Sequence, residues 1–319
     1  MCSERIGKLL RAAVTAGFAA CAPLQPLEVR DSEVRILPLS HAPTRLEAQG
    51  FGIEVLALLA LSASDRRFGG LSGLLVDGDD LLLLSDRATL WRVPCRRLEI
   101  GEPAALRLAV TSLRALDGPV DAEDLARDGE GRLLVASESG AGLYVVAGDD
   151  GRLAPAAPRA LAALATAVPN RGIEAATQLA DDRLLVVTEG PIDAEGNVRA
   201  AIVAGNRLTP LRFPVTEGFR PVGAETFEDM VLVLERRFSP FIGFSARLGL
   251  LSAPAIAAGG QLPRPHPLVT LTPPLPGENF EAIAVATGGS CAGRLYLVSD
   301  DNFSPLQRTL LVVARILRP

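Results

Sequence analysis

Short runs of leucine and valine, each closed by an acidic residue, recur along the chain. They read LLLLSD (81–86), RLLVASE (132–138), RLLVVTE (183–189), MVLVLE (230–235) and RLYLVSD (294–300). The apolar side chains fall on both alternating faces and each run is only five or six residues long. A helix needs more length and a polar stripe, so these are strands buried on both faces. Asp/Gly-rich turns such as DGDD (77–80) and DGEG (128–131) precede them and predict hairpins. Ahead of each turn stands a further polar marker: Ser72, Glu123, Glu174, Glu225 and Glu281. The first four are spaced by 51 residues and the last interval is 56, which is the signature of a repeat architecture.

Further strand-like pieces follow the runs, among them GLYVVAG, RAAIVAG and TLLVVARIL. Each period therefore holds three or four short antiparallel strands. A small sheet that is apolar on both faces must be covered on both, and radial packing around an axis does this. The expected fold class is all-β, a single β-propeller over residues 51–319. IEVLALLALSA (53–63) is expected to give the last blade its outer strand and so latch the ring. Five blades are expected, or six if Val34 to Arg45 and the C-terminal segment build another. ALAALATAV (160–168) predicts a short helix without a function.

In a propeller the innermost strand starts at the face where the second strand ends, so the paired acids should line one channel mouth. The expected ring holds nine: Asp86, Glu123, Glu138, Glu174, Glu189, Glu225, Glu235, Glu281 and Asp300. Two like charges about 8 Å apart at an effective dielectric near 20 repel by roughly 2 kcal/mol, so such a ring needs relief. Bound cations, arginines, shared protons or backbone N–H groups could supply it. The alternative is that each acid caps amides within its own blade. Carboxylate donors suit Ca²⁺ better than Zn²⁺, since His41 and His266 are the two histidines and neither is expected to lie in a repeat. The expected metal ligands are Asp86, Glu138, Glu174, Glu189, Glu281 and Asp300, and the catalytic candidates Glu123, Glu174, Glu281 and Asp300.

Composition narrows the function. A net charge of −5 with no basic stripe argues against nucleic acid, and Lys8 is the one lysine. At the N-terminus Arg5, Lys8 and Arg11 precede a weakly apolar stretch, Ala12 to Ala20, and then Cys21. This resembles an export signal (residues 1–21), and FAAC resembles a lipobox in which Phe18 departs from the usual aliphatic residue. Cys21 is the expected lipidation site and residues 22–50 a tether with room for an extra strand. The chain would be periplasmic or membrane-anchored, touching the membrane through that lipid alone. Cys95 and Cys291 remain as buried thiols or as a disulfide. The propeller geometry puts both opposite the acids, on the adjoining first and last blades.

FGGLSGL, NRGIEAA, LERRFSP and above all SDDNFSPLQRTLLVVARI resemble the bacterial phytase-like family, whose domain is named for an esterase-like activity of phytase. The resemblance spans roughly residues 50 to 319. It implies an exported propeller acting on phosphate esters, with a small phosphorylated substrate. The chain departs from its own repeat at Leu234, where others have Ser or Thr, and at Ser72, where others have Glu. A phosphoesterase would use Ca²⁺ on the acid rim and forked arginines, with Arg87, Arg171, Arg236 and Arg308 as candidates. Arg308 could instead pair with a neighbouring acid. A serine esterase fits poorly, because Gly70-Leu71-Ser72-Gly73-Leu74 lacks the spacing of a nucleophile elbow. A histidine phosphatase lacks its motif. A Ca²⁺-dependent lactonase stays open by analogy of fold. So does a non-catalytic, lipid-tethered propeller that binds an envelope ligand.

Overall fold

Every apolar run found in the sequence is the second strand of an antiparallel unit. The structure, a computed structural model, describes residues 30–40, 43–48, 51–99, 102–116, 118–140, 142–148, 150–156, 161, 164, 172–271 and 275–317. The export signal with Cys21, His41, Arg171 and most of ALAALATAV lie outside the described residues.

Three strands precede the first repeat: β1 (Arg30–Ser40), β2 (Thr44–Ala48) and β3 (Phe51–Ala63). The first repeat forms β4 (Leu71–Asp77), β5 (Asp80–Ser85), β6 (Thr89–Pro94) and β7 (Ala104–Ser112). The second forms β8 (Arg114–Ala115), β9 (Ala122–Arg127), β10 (Leu133–Ser137), β11 (Leu143–Ala147) and β12 (Arg152–Pro155). The third holds β13 (Ile173–Gln178), β14 (Leu184–Thr188), β15 (Asn197–Ala204) and β16 (Arg207–Pro214). In the fourth, β17 (Arg220–Phe227), β18 (Met230–Ser239) and β19 (Gly243–Ser252) lead through a helical turn, α1 (Ala253–Ala257). Next come β20 (Gly260–Gln261) and β21 (His266–Thr270). The fifth repeat is β22 (Phe280–Val285), β23 (Arg294–Ser299) and β24 (Thr309–Leu317).

The five innermost strands touch in a closed cycle, β4 to β9 to β13 to β17 to β22 and back to β4. Five apolar clusters fill the wedges between successive sheets, the last joining the fifth repeat to the first. Alternation along one strand explains the continuous runs: Leu81 and Leu83 face the fifth repeat while Leu82 and Leu84 face the second. The architecture is a β-propeller.

Ring closure follows the expected latch. β3, carrying IEVLALLALSA, pairs antiparallel with β24 as the outer strand of the last sheet. β1 then lies between β3 and β7, so the first and last sheets fuse through it. Thus neither β1 nor the C-terminal strand β24 belongs to a separate inner-strand unit. A disulfide joins Cys95 to Cys291, both buried, between the first and fifth repeats and away from the acids. His266 proves to lie on an outer strand of the fourth repeat, where it pairs with Leu250. No helix among the described residues is long and apolar enough to cross a membrane.

Candidate functional site

Two residue positions per repeat build the channel mouth. The first is a β-bulge at the start of the inner strand, where the ladder skips Ser72, Glu123, Glu174, Val222 and Glu281 in turn. A bulged residue is left out of the pairing and is free to turn into the channel. The second directly follows the residue that pairs just ahead of the bulge: Asp86, Glu138, Glu189, Arg236 and Asp300.

This register corrects two sequence expectations. Val222, not Glu225, is the fourth bulge, so the even spacing that ended on Glu225 was a coincidence of loop length. Glu225 sits three residues farther along β17 and lines a cavity of about 550 Å³ at the opposite mouth, with Arg127, Thr177 and Thr226. There it accepts the Val285 N–H, and burial pushes its carboxyl up to about 8. Glu235 takes the place of Ser85, Ser137, Thr188 and Ser299, because the fourth run is slipped by one residue. It turns aside to the Arg247 guanidinium, 2.8 Å away. Arg236 occupies the acid's position instead.

The other seven expected acids do converge. Burial, and then the charges of Asp121, Glu138, Glu281 and Asp86, push Glu123 well above the usual carboxylate range. Burial also raises Glu174, followed by Glu123; Glu174 hydrogen-bonds Glu138 and is the partner that keeps the proton. Asp300 is raised to about 6 by burial, with Asp86 and Asp301 adding to it.

The rim is lopsided. On the side of the fourth and fifth repeats Arg236 supplies the counter-charge: it donates to Glu189 at 3.2 Å, to Asn279 at 2.6 Å and to Glu281. Burial still raises Glu281 to about 8. Among the described residues no arginine forms an ion pair with Asp86, Asp121, Glu123 or Glu138, on the side of the first two repeats. Asp121, Glu123 and Glu138 each bring one carboxylate oxygen within 4.8 Å of the other two. All three donors are hard oxygens, which fits Ca²⁺ and not Zn²⁺. Asp121 was not anticipated, although PVDAEDL places it two residues before Glu123.

The arginines divide. Arg87 is exposed, lies over the Phe303 ring at 3.4 Å from its centroid, and lines a cavity of about 700 Å³ with Asp86, Arg114, Asp121 and Ser139. Arg308 places its Nε and Nη2 on one oxygen of Glu278, at 3.0 and 2.7 Å, as the structural alternative expected. Ser72 donates to the Ala122 carbonyl at 2.6 Å and is buried, so its hydroxyl is committed to the backbone.

Some rim acids cap amides within their own repeat, as Asp300 does on the Asn302 N–H at 2.6 Å, and others do so across repeats. Glu138 accepts from Gly172 N–H at 2.9 Å, and Asp301 from Gly70 N–H at 2.9 Å. The second of these joins two of the sequence motifs, FGGLSGL and SDDNFSP, at the ring closure. Gly70 has φ +58, and a Cβ there would strike the Phe303 ring and the Asp86 carboxylate.

The phytase-like family, described as esterase-like activity of phytase, matches residues 66–303. The chain belongs to that family. No curated protein matches it. Among solved structures, a gluconolactonase from Xanthomonas campestris shares 9% identity over 88% of this chain and 97% of its own, with a TM-score of 0.47. A glutaminyl cyclase from Myxococcus xanthus shares 16% over 78% and 92%, with a TM-score of 0.43. A virginiamycin B lyase from Staphylococcus aureus shares 8% over 84% and 74%, with a TM-score of 0.40.

Proposed function

We propose that this phytase-like protein is a hydrolase of phosphate esters, working at the acidic mouth of a five-bladed propeller with Ca²⁺ as its metal. The observation that carries the reading is one cavity walled by Asp121 on one side and by Arg87 and Arg114 on another. Asp121, Glu123 and Glu138 would hold the cation, and a bound Ca²⁺ supplies positive charge for phosphate oxygens and for an attacking water. Arg87, held flat on Phe303, presents its fork to the phosphate. Glu174 holds a proton shared with Glu138 and is the acid that can protonate a departing alkoxide. Arg236 keeps Glu189 and Glu281 compensated, so its part is positioning. The count of five blades is supported by the cycle of inner strands and by the five apolar wedges. Export and lipidation at Cys21, with a tether to Arg30, belong to the same reading and rest on the FAAC motif.

The test is turnover of phytate and aryl phosphates with Ca²⁺ and with EDTA. Glu123→Gln should lower kcat at least about a hundredfold and Arg87→Ala should act mainly on KM. Absence of any calcium-dependent turnover on either substrate would leave the mouth as a binding site for an envelope ligand.

A further inference from the structure

Exposed apolar side chains are not spread evenly over this molecule. Among the described residues the large ones are Leu37, Leu39, Leu116, Ile192, Phe238, Phe241, Ile242 and Leu306. All but the first two stand on loops or on a hairpin tip at the acidic mouth. Leu116 is in the connection from β8 to β9, Ile192 between β14 and β15, and Leu306 between β23 and β24. Phe238, Phe241 and Ile242 crown the β18–β19 hairpin, which runs past the rim residue Arg236 to a turn at Ser239–Gly243. Leu116, Phe241 and Leu306 are 98%, 97% and 93% exposed, whereas Glu174, Glu281 and Asp300 are at 9% or less. The apolar tips therefore stand outermost and the acids lie recessed behind them.

Chain direction adds a second observation. β1 runs antiparallel to β3 and β7, with Arg30 opposite Val110 and Val34 opposite Ala63. Its first residue thus lies at the acidic-mouth end, nine positions after Cys21. Nine extended residues reach about 30 Å. A lipid on Cys21 would hold this face, and not the opposite one, against a bilayer.

We propose that the acidic-mouth face docks on a lipid bilayer, with the Phe238–Ile242 hairpin tip and Leu116, Ile192 and Leu306 entering the interfacial layer. The orientation rests on the tether described above; the docking surface itself does not. Tips carried at one end by several repeats meet a planar apolar medium together, whereas they leave no common groove for a helix or strand. Arg114, Arg237 and Arg308 lie within two residues of Leu116, Phe238 and Leu306, where guanidinium groups can sit among headgroups while the apolar tips go deeper. Phe238, Phe241 and Ile242 share one exposed hairpin tip, the kind of apolar patch that marks a protein or membrane contact, and a bilayer accepts it without a matching pocket. The recessed acids act on headgroups only through a Debye length of about 8 Å.

Brominated phospholipids decide the matter, because bromine on the acyl chains quenches only tryptophan that reaches them. The native Trp91 is fully buried and serves as the silent background. Full-length Phe241→Trp is mixed with vesicles of phosphatidylethanolamine and phosphatidylglycerol carrying brominated chains. The indole at position 241 should shift to the blue and lose about half of its emission, as expected for burial in the interface. Glu130→Trp, in the exposed β9–β10 turn at the opposite mouth, should behave like the unmodified protein. Quenching of Phe241→Trp no greater than that of Glu130→Trp would overturn the proposal, whether or not the protein sediments with the vesicles. The mass of the Cys21 peptide reports the tether separately. Quenching without lipid on Cys21 supports docking and removes the tether; lipid on Cys21 without quenching keeps the tether and overturns docking.

Discussion

Arg236 shows how one residue can hold an acidic rim together. Its guanidinium is mostly buried and faces Glu189 and Glu281. Removing one partner of a buried ion pair leaves an uncompensated charge, which costs about 3 kcal/mol or more. Arg236→Ala should therefore lower the stability seen in urea unfolding by about that much, and Glu281→Gln in the same chain should restore part of it. At the opposite mouth Glu225 faces the reverse situation: burial raises its carboxyl and the Val285 N–H offsets only part of that. Its carboxyl is raised from 4.5 to about 8, so the folded state holds a proton that the unfolded state gives up between those values. The sign follows from linkage: stability is full below about 4.5, falls as pH rises, and levels off above about 8. Glu225→Gln keeps an acceptor for the amide and has no proton to lose. Its Tm should match that of the parent near pH 4.5 and exceed it by about 2–4 °C at pH 8. Equal Tm differences at both pH values would contradict the assignment.

At the level of the strand and hairpin, the repeat was legible because burial on both faces writes itself into continuous leucine and valine runs. Leu81–Leu84 and Leu295–Val298 could be nothing but double-faced strands, and IEVLALLALSA is legible as the strand that latches the last sheet. Register in the fourth repeat was not legible. Glu225 happened to fall on the period, while Val222, the residue in the bulge, carries no chemical mark. A bulge is set by where pairing slips, and a single sequence records that only when the bulged residue is polar. Likewise Glu235 looked like one more closing acid because Arg236, next to it, breaks the pattern. Asp121 escaped because it precedes its strand and belongs to no run. The closure between FGG and SDDNF is testable at this scale. Gly70→Ala forces a side chain onto Phe303 and Asp86 at a positive φ, so Tm should fall by at least about 2–4 °C, and Ala substituted at the open turn residue Gly78 should cost less.

For the whole molecule, the arrangement is a ring with one strained sector. Arg236 settles the charges of Glu189 and Glu281, and a shared proton eases Glu138 and Glu174. The Asp121, Glu123 and Glu138 corner is left with three carboxylates close together, Asp121 exposed and the other two half-buried. On the proposed reading a divalent cation would resolve that corner, and because Glu123 and Glu138 are held above their usual range, protons would compete with it. Affinity should accordingly rise between pH 5 and pH 8. The measurement that bears most directly on this account is calorimetric titration of the full chain with Ca²⁺ at pH 7.5, set beside Glu123→Gln. One saturable site, weakened at least about tenfold by the substitution, is the expected result. No calcium binding by the parent chain, or binding that Glu123→Gln leaves unchanged, would contradict it.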